Sequence, residues 1–107
     1  VEITGTDTIY NYTAYNARPL IFVERKEATG NGTVTVNGTV FTITGIPADG
    51  LYIDCESMNC YDTNNNNVNN IVASSTSEFA KLQPGENAIG FTGKVNKLII
   101  TPRFFEI

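Results

Sequence analysis

The chain has 107 residues, enough for one domain around one core. Charged residues make up only 17%, so its polarity is carried by Thr and Asn, which favour strands and turns over helices. A net charge of -4 with a pI near 4.6 argues against a phosphate-binding surface of clustered Lys and Arg, so no nucleic-acid partner is expected.

In chain order, the first signal is a group of tyrosines. Tyr10, Tyr12 and Tyr15 alternate imperfectly, as in a half-buried edge strand; exposed together, they would suit stacking on a sugar ring. "ARPLIFVER", Ala17 to Arg25, contains the continuous apolar run Leu20 to Val23, which suits a strand buried on both faces. "GTVTVNGTVFTITG", Gly32 to Gly45, is the clearest local pattern. Asn37-Gly38 is the preferred pair of a type I′ hairpin, and pairing Val36 with Thr39 sets Val34 opposite Phe41. Val34, Val36, Phe41 and Ile43 then share an apolar face, and Thr33, Thr35, Thr42 and Thr44 a wet one.

"IPADG" turns the chain into "LYIDCE", where Leu51, Ile53 and Cys55 alternate with Tyr52, Asp54 and Glu56. "TNNNNVNN", Thr63 to Asn70, reads as a low-complexity polar loop that no packed core uses. "SEFAKL", Ser77 to Leu82, allows a helix of a turn or two. "NAIGFTG" and "KLIITPRFFEI" are two last strands, with Leu98 and Ile100 on one face, Ile99 on the other, and Pro102 at an edge or bulge. Phe104 or Phe105, together with Ile107, is expected to join the core. Seven or so short strands separated by turns predict a single all-β domain over 1–107. Its expected fold is an antiparallel β-sandwich of the jelly-roll or Greek-key kind.

The candidates for chemistry are few. His is absent, which removes the usual general base, the usual metal ligand and every Ser-His or Cys-His nucleophile. No cofactor and no metal are expected, and no enzymatic activity. Asp54 and Glu56 project from one face of a strand, the pairing a glycosidase uses, but solvated outer-face carboxylates are the simpler reading. Asp62 and the asparagines after it offer oxygen ligands to calcium, yet the alternating acidic spacing of a calcium loop is missing. Cys55 and Cys60 are too few for a disulfide scaffold, and a bridge between them needs a turn near Ser57-Met58; reduced, buried thiols are expected. Three N-x-[ST] sequons begin at Asn11, Asn31 and Asn37, the last two inside turns that favour Asn-Gly on backbone grounds. No apolar run is long enough to span a bilayer, so no membrane partner is expected.

Taken in order, "RPLIFV", the "TVNG" hairpin, "IDCE" with "NCYD", "LQPGEN", "FTG" and "TPR" followed by an aromatic resemble the C-terminal domain of the distal tail protein of long-tailed bacteriophages. The set covers about Arg18 to Ile107. Cys55 and Cys60 fall where that family tends to carry small residues. The resemblance implies a galectin-like sandwich attached to an N-terminal domain that builds a hexameric ring, and Val1 in place of Met fits a domain cut from such a protein. It implies a structural hub at the virion tail tip, assembled in the bacterial host cytoplasm. The partners implied are the tail tube, the tail-tip lysin and a receptor-binding protein or fibre. The isolated domain is expected to be monomeric, with Tyr52, Asp54, Glu56, Tyr61 and Asp62 as candidate surface contacts. The rival from another class is a carbohydrate-binding module, since a sandwich of this kind is also a lectin scaffold.

Overall fold

The computed structural model describes residues 1–27 and 30–104. The described residues form ten strands: β1 (Glu2–Ile3), β2 (Asp7–Asn11), β3 (Leu20–Arg25), β4 (Gly32–Val36), β5 (Thr39–Ile43), β6 (Leu51–Asp54), β7 (Asn59–Asp62), β8 (Val72–Ser74), β9 (Gly85–Gly93) and β10 (Val95–Thr101). They form two five-stranded sheets, β1-β10-β3-β6-β7 (sheet A) and β2-β9-β4-β5-β8 (sheet B). Every pairing is antiparallel, and four of them are nested: β1 with β10, β2 with β9, β3 with β6 and β4 with β5. A ribbon folded at the β4–β5 hairpin and then rolled up gives this order. The fold is a jelly-roll β-sandwich, with β7 and β8 added as outer edges.

The central hairpin has the register its sequence dictates, Val36 with Thr39 and Val34 with Phe41. Its turn differs. Asn37 has φ 56, but Gly38 is not among the residues of positive φ, which is the φ pattern of a II′ turn and not of I′. The reason is tertiary. The Asn37 backbone N–H donates to Ala88 O (2.8 Å), and its side chain donates to Asn87 Oδ1 (2.8 Å) and accepts from the Ala88 N–H (3.1 Å). The hairpin tip is thereby set by β9 as well as by its own strands.

The residues expected inside from alternation, Val34, Val36, Phe41, Ile43, Leu51, Ile53, Leu98 and Ile100, are all buried. Ile99 faces out. Other expectations are corrected. In β3, Ile21 and Val23 point inward while Leu20 and Phe22 are only half-buried on the outer face, because sheet A has a single covered side. "SEFAKL" is extended, since it lines the sandwich with Phe79 edge-on to Phe41 (centroids 5.1 Å), buries Ala80 and Leu82, and bridges Leu82 to Ala17. Pro102 follows the last residue of β10, a strand flanked on both sides; the bulge lies earlier, between Val95 and Lys97. Phe104 packs half-buried against the core, whereas Phe105 and Ile107 lie outside the described residues.

Among the described residues two polar side chains are buried, Asn11 and Asn87, and both bind within sheet B and the segments leading into it. Asn87 Nδ2 faces Ile9 O (3.1 Å), Gln83 O (2.9 Å) and Gly85 O (3.0 Å), while Oδ1 accepts from Gln83 N (2.8 Å) and Asn37 Nδ2. One amide thus links β2, the turn into β9 and the β4–β5 tip. Asn87→Leu leaves these groups buried without partners and is expected to cost about 3 kcal/mol. Urea denaturation checks it, with exposed Thr42→Ala as a control expected to change stability by under about 0.5 kcal/mol.

Candidate functional site

Alternation along β6 sends Tyr52 and Asp54 to the outer face of sheet A, and Glu56 follows in the turn before β7. Cross-strand pairing then builds a row over four strands: Ile99 beside Phe22, Phe22 beside Tyr52, and Tyr52 beside Tyr61. The Phe22 and Tyr52 rings meet at 4.8 Å with a 50° tilt, a cross-strand aromatic pair. Tyr52 and Tyr61 are therefore brought together. Asp54 and Glu56 lie beside the end of this row, and Asp62 is at the opposite end of the same hairpin, across from Leu51.

The two carboxylates near the row do not face each other as acid and base. Arg103, just after β10, donates from Nη1 to Asp54 Oδ1 (2.7 Å) and lies 3.6 Å from Glu56 Oε2. The same Nη1 is 3.5 Å from Arg18 O. The Arg103 hydrogen bond is the main reason the Asp54 carboxyl is held below its ordinary value of 3.8; burial opposes it, and the N–H groups of Ser57 and Glu56 assist it. The sign of the linkage follows. A depressed folded value stabilises the fold above pH 3.8, and that contribution is lost as pH falls through the lower folded value. A carboxyl tuned in this direction is a poor proton donor near neutrality.

Arg103 itself has φ 56, a conformation that costs a non-glycine residue roughly 1–3 kcal/mol. Its ion pair with Asp54 compensates in part. The guanidinium, together with Asn16, Arg18 and Glu56, lines a cavity of about 260 Å³. Arg18 extends towards Glu78 (3.7 Å), which borders a second cavity of about 400 Å³ lined by Asn37, Thr39, Thr76, Ser77, Phe79 and Lys81 among others. Asn16, Arg18 and Arg103 escaped the reading of the sequence as site residues. "TPR" stood out in the sequence, but its partner Asp54 is 49 residues away and only the fold joins them.

Asp62 has a different task. Its Oδ1 accepts the N–H groups of Asn64 and Asn66, both at 2.9 Å, and these bonds hold its carboxyl below the ordinary value. The asparagine run is an exposed polar loop outside the core, as its composition predicts, and these bonds tie it to its neighbours. It runs along the free edge of β7: Asn69 Oδ1 accepts from Cys60 N (2.6 Å), Val68 N donates to Cys60 O (2.8 Å), and Asp62 N donates to Asn66 O (2.9 Å). Side-chain amides and loop backbone substitute for a further strand and cover an edge that would otherwise be open to pairing. With Asp62 Oδ1 spent on N–H groups, a calcium reading of this loop loses its leading ligand. Among the described residues no three His, Cys, Asp or Glu side chains form a metal cluster.

The sequons are structural as well. Asn11 is 1% exposed and its Nδ2 donates to Tyr15 O and Leu82 O, so the folded chain does not present it to a glycosylating enzyme. Asn31 Oδ1 accepts from Gly45 N, and Asn37 is bound to β9 as described. Tyr10, on the edge strand of sheet B, and Tyr12, just past its end, are more exposed than a half-buried edge strand implies, at 49% and 84%, with ring centroids 4.9 Å apart. No family model, curated protein or solved structure matches this chain.

Cys55 and Cys60 are both free and both buried, on either side of the turn that brings the hairpin back. Burial pushes each thiol up to about 12, so neither is a thiolate at neutral pH. Ellman's reagent at pH 8 is expected to find no reactive thiol in the folded protein and both on addition of guanidinium. Rapid reaction of the native chain would show that this hairpin opens.

Proposed function

We propose that this chain is a non-enzymatic structural domain of a phage or prophage tail, the outer domain of a distal tail protein at the virion tail tip. The observation that supports the reading is where the resembling motifs lie. Asp54 of "IDCE" pairs with Arg103 of "TPR"; Asn87 of "LQPGEN" is the buried clamp of sheet B. Gly93 of "FTG" has φ 76, and a Cβ there would run into the Asn31 carbonyl. The motif set is therefore a set of closing contacts, as expected if the likeness reflects a common fold. Asp54 within it is paired with Arg103, which favours an attachment role over catalysis.

In this reading the tail tube, the tail-tip lysin and a receptor-binding protein or fibre are the partners, and the domain assembles in the host cytoplasm. The hexameric ring belongs to the N-terminal domain of the whole protein. The outer domain by itself is monomeric in this reading, because most of its aliphatic residues are buried in its own core and a stable interface needs roughly 1,000 Å². Antibodies against the domain are expected to decorate the distal end of tails in particles from an induced culture of the source organism. Light scattering at micromolar concentration is expected to give an 11.7 kDa species. Protein found only in envelopes or cytosol, never with particles, would overturn the tail assignment; a discrete hexamer would overturn the attribution of the ring.

A further inference from the structure

The cavity lined by Asn16, Arg18, Glu56 and Arg103 has a composition that structural closure alone does not require. All three contacts of Arg103 run through Nη1, while a guanidinium carries five N–H donors in a fixed plane. Among the described residues nothing engages its Nε or Nη2. Asp54 holds the group from behind, and the left-handed backbone at Arg103 is the kind of strain found where a side chain must be aimed.

The charges decide the ligand class. Among the described residues Arg18, Arg103 and Glu56 are the charged groups that line the cavity, and from outside it Glu78 pairs with Arg18 and Asp54 with Arg103. An added anion therefore meets guanidinium groups that are already paired, and an added cation meets those groups directly. A neutral ligand rich in hydroxyls meets donors from both arginines, acceptors on Glu56 and both kinds on Asn16. The volume, about 260 Å³, lies just below the range of drug-sized pockets and suits one small ring.

The loop before Asn16 is tied by its own hydrogen bonds: Asn11 Oδ1 accepts from Thr13 N (2.9 Å) and from the Thr13 hydroxyl (2.7 Å), which in turn accepts from Tyr15 N (3.2 Å), and Asn11 Nδ2 donates to Tyr15 O (2.8 Å). Tyr15 precedes Asn16 in the chain and is 47% exposed, outside the lining of the cavity.

We propose that this cavity is a binding site for a neutral saccharide, one pyranose ring held by Asn16, Arg18, Glu56 and Arg103. The proposal does not depend on the tail assignment and stands or falls separately from it. Saturation-transfer NMR with the methyl glycosides of glucose, galactose, mannose and N-acetylglucosamine is the test, with acetate and glucuronic acid as anionic probes. At least one neutral glycoside is expected to bind saturably in the millimolar range. Glu56→Gln and Asn16→Ala are each expected to weaken it about tenfold, the effect of one hydrogen bond, at unchanged melting temperature because both side chains are exposed. Absence of saturable binding by all four glycosides would overturn the site. So would full binding in both variants, or tighter binding of acetate or glucuronic acid than of any neutral sugar.

Discussion

The contact between Arg103 and Asp54 governs the outer face of sheet A. It fixes the segment after β10 against the end of β6, and it holds a residue with φ 56 in a conformation that would otherwise relax. It also decides the chemistry of the carboxylates. Without Arg103, Asp54 and Glu56 would be two neighbouring like charges, the arrangement in which one carboxyl rises and becomes a proton donor. With Arg103 between them, Asp54 is lowered instead. The same side chain forms one wall of the cavity, so closure, charge balance and binding surface all follow from one ion pair.

Sheet B has a counterpart in the Asn87 amide, but the two clamps differ in physics. Asn87 is fully buried and neutral, and its worth lies in not leaving several backbone groups unpaired. Arg103 and Asp54 are each partly exposed, at 29% and 22% of their side chains, so solvent screens their attraction and the pair contributes position more than stability. A jelly roll needs both kinds. Its nested pairing brings together strands far apart in sequence, β1 with β10 and β2 with β9, and local turns cannot specify that register.

Local signals were legible and long-range ones were not. The β4–β5 hairpin, with Val34, Val36, Phe41 and Ile43 on one face, follows from period-two alternation around Asn37-Gly38. Leu51, Ile53 and Cys55 follow from the same rule in β6. What alternation cannot reveal is a contact between elements. The turn at Asn37 is set by Asn87 and Ala88, fifty residues on in the chain. "SEFAKL" has helical composition but is extended because Phe79 and Leu82 are captured by the sandwich. The asparagine run reads as a polar loop by composition, which does not show that Asp62 and Asn69 direct its amides onto the edge of β7. Of the candidate residues, Tyr52 and Tyr61 are paired across β6 and β7. Glu56, in contrast, lies in the turn after β6, and its carboxylate is joined to that of Asp54 only through Arg103, a residue the sequence shows as part of a motif and not as their partner.

A titration of the Asp54 side-chain carboxyl by carbon-detected NMR, in the wild-type chain and in Arg103→Gln, tests this account most directly. The account predicts a midpoint below 3.8 in the wild type and a clear upward move in the variant, since the Arg103 hydrogen bond is the largest cause of the depression. A wild-type midpoint at or above 3.8, or one that does not move when Arg103 is replaced, would contradict it.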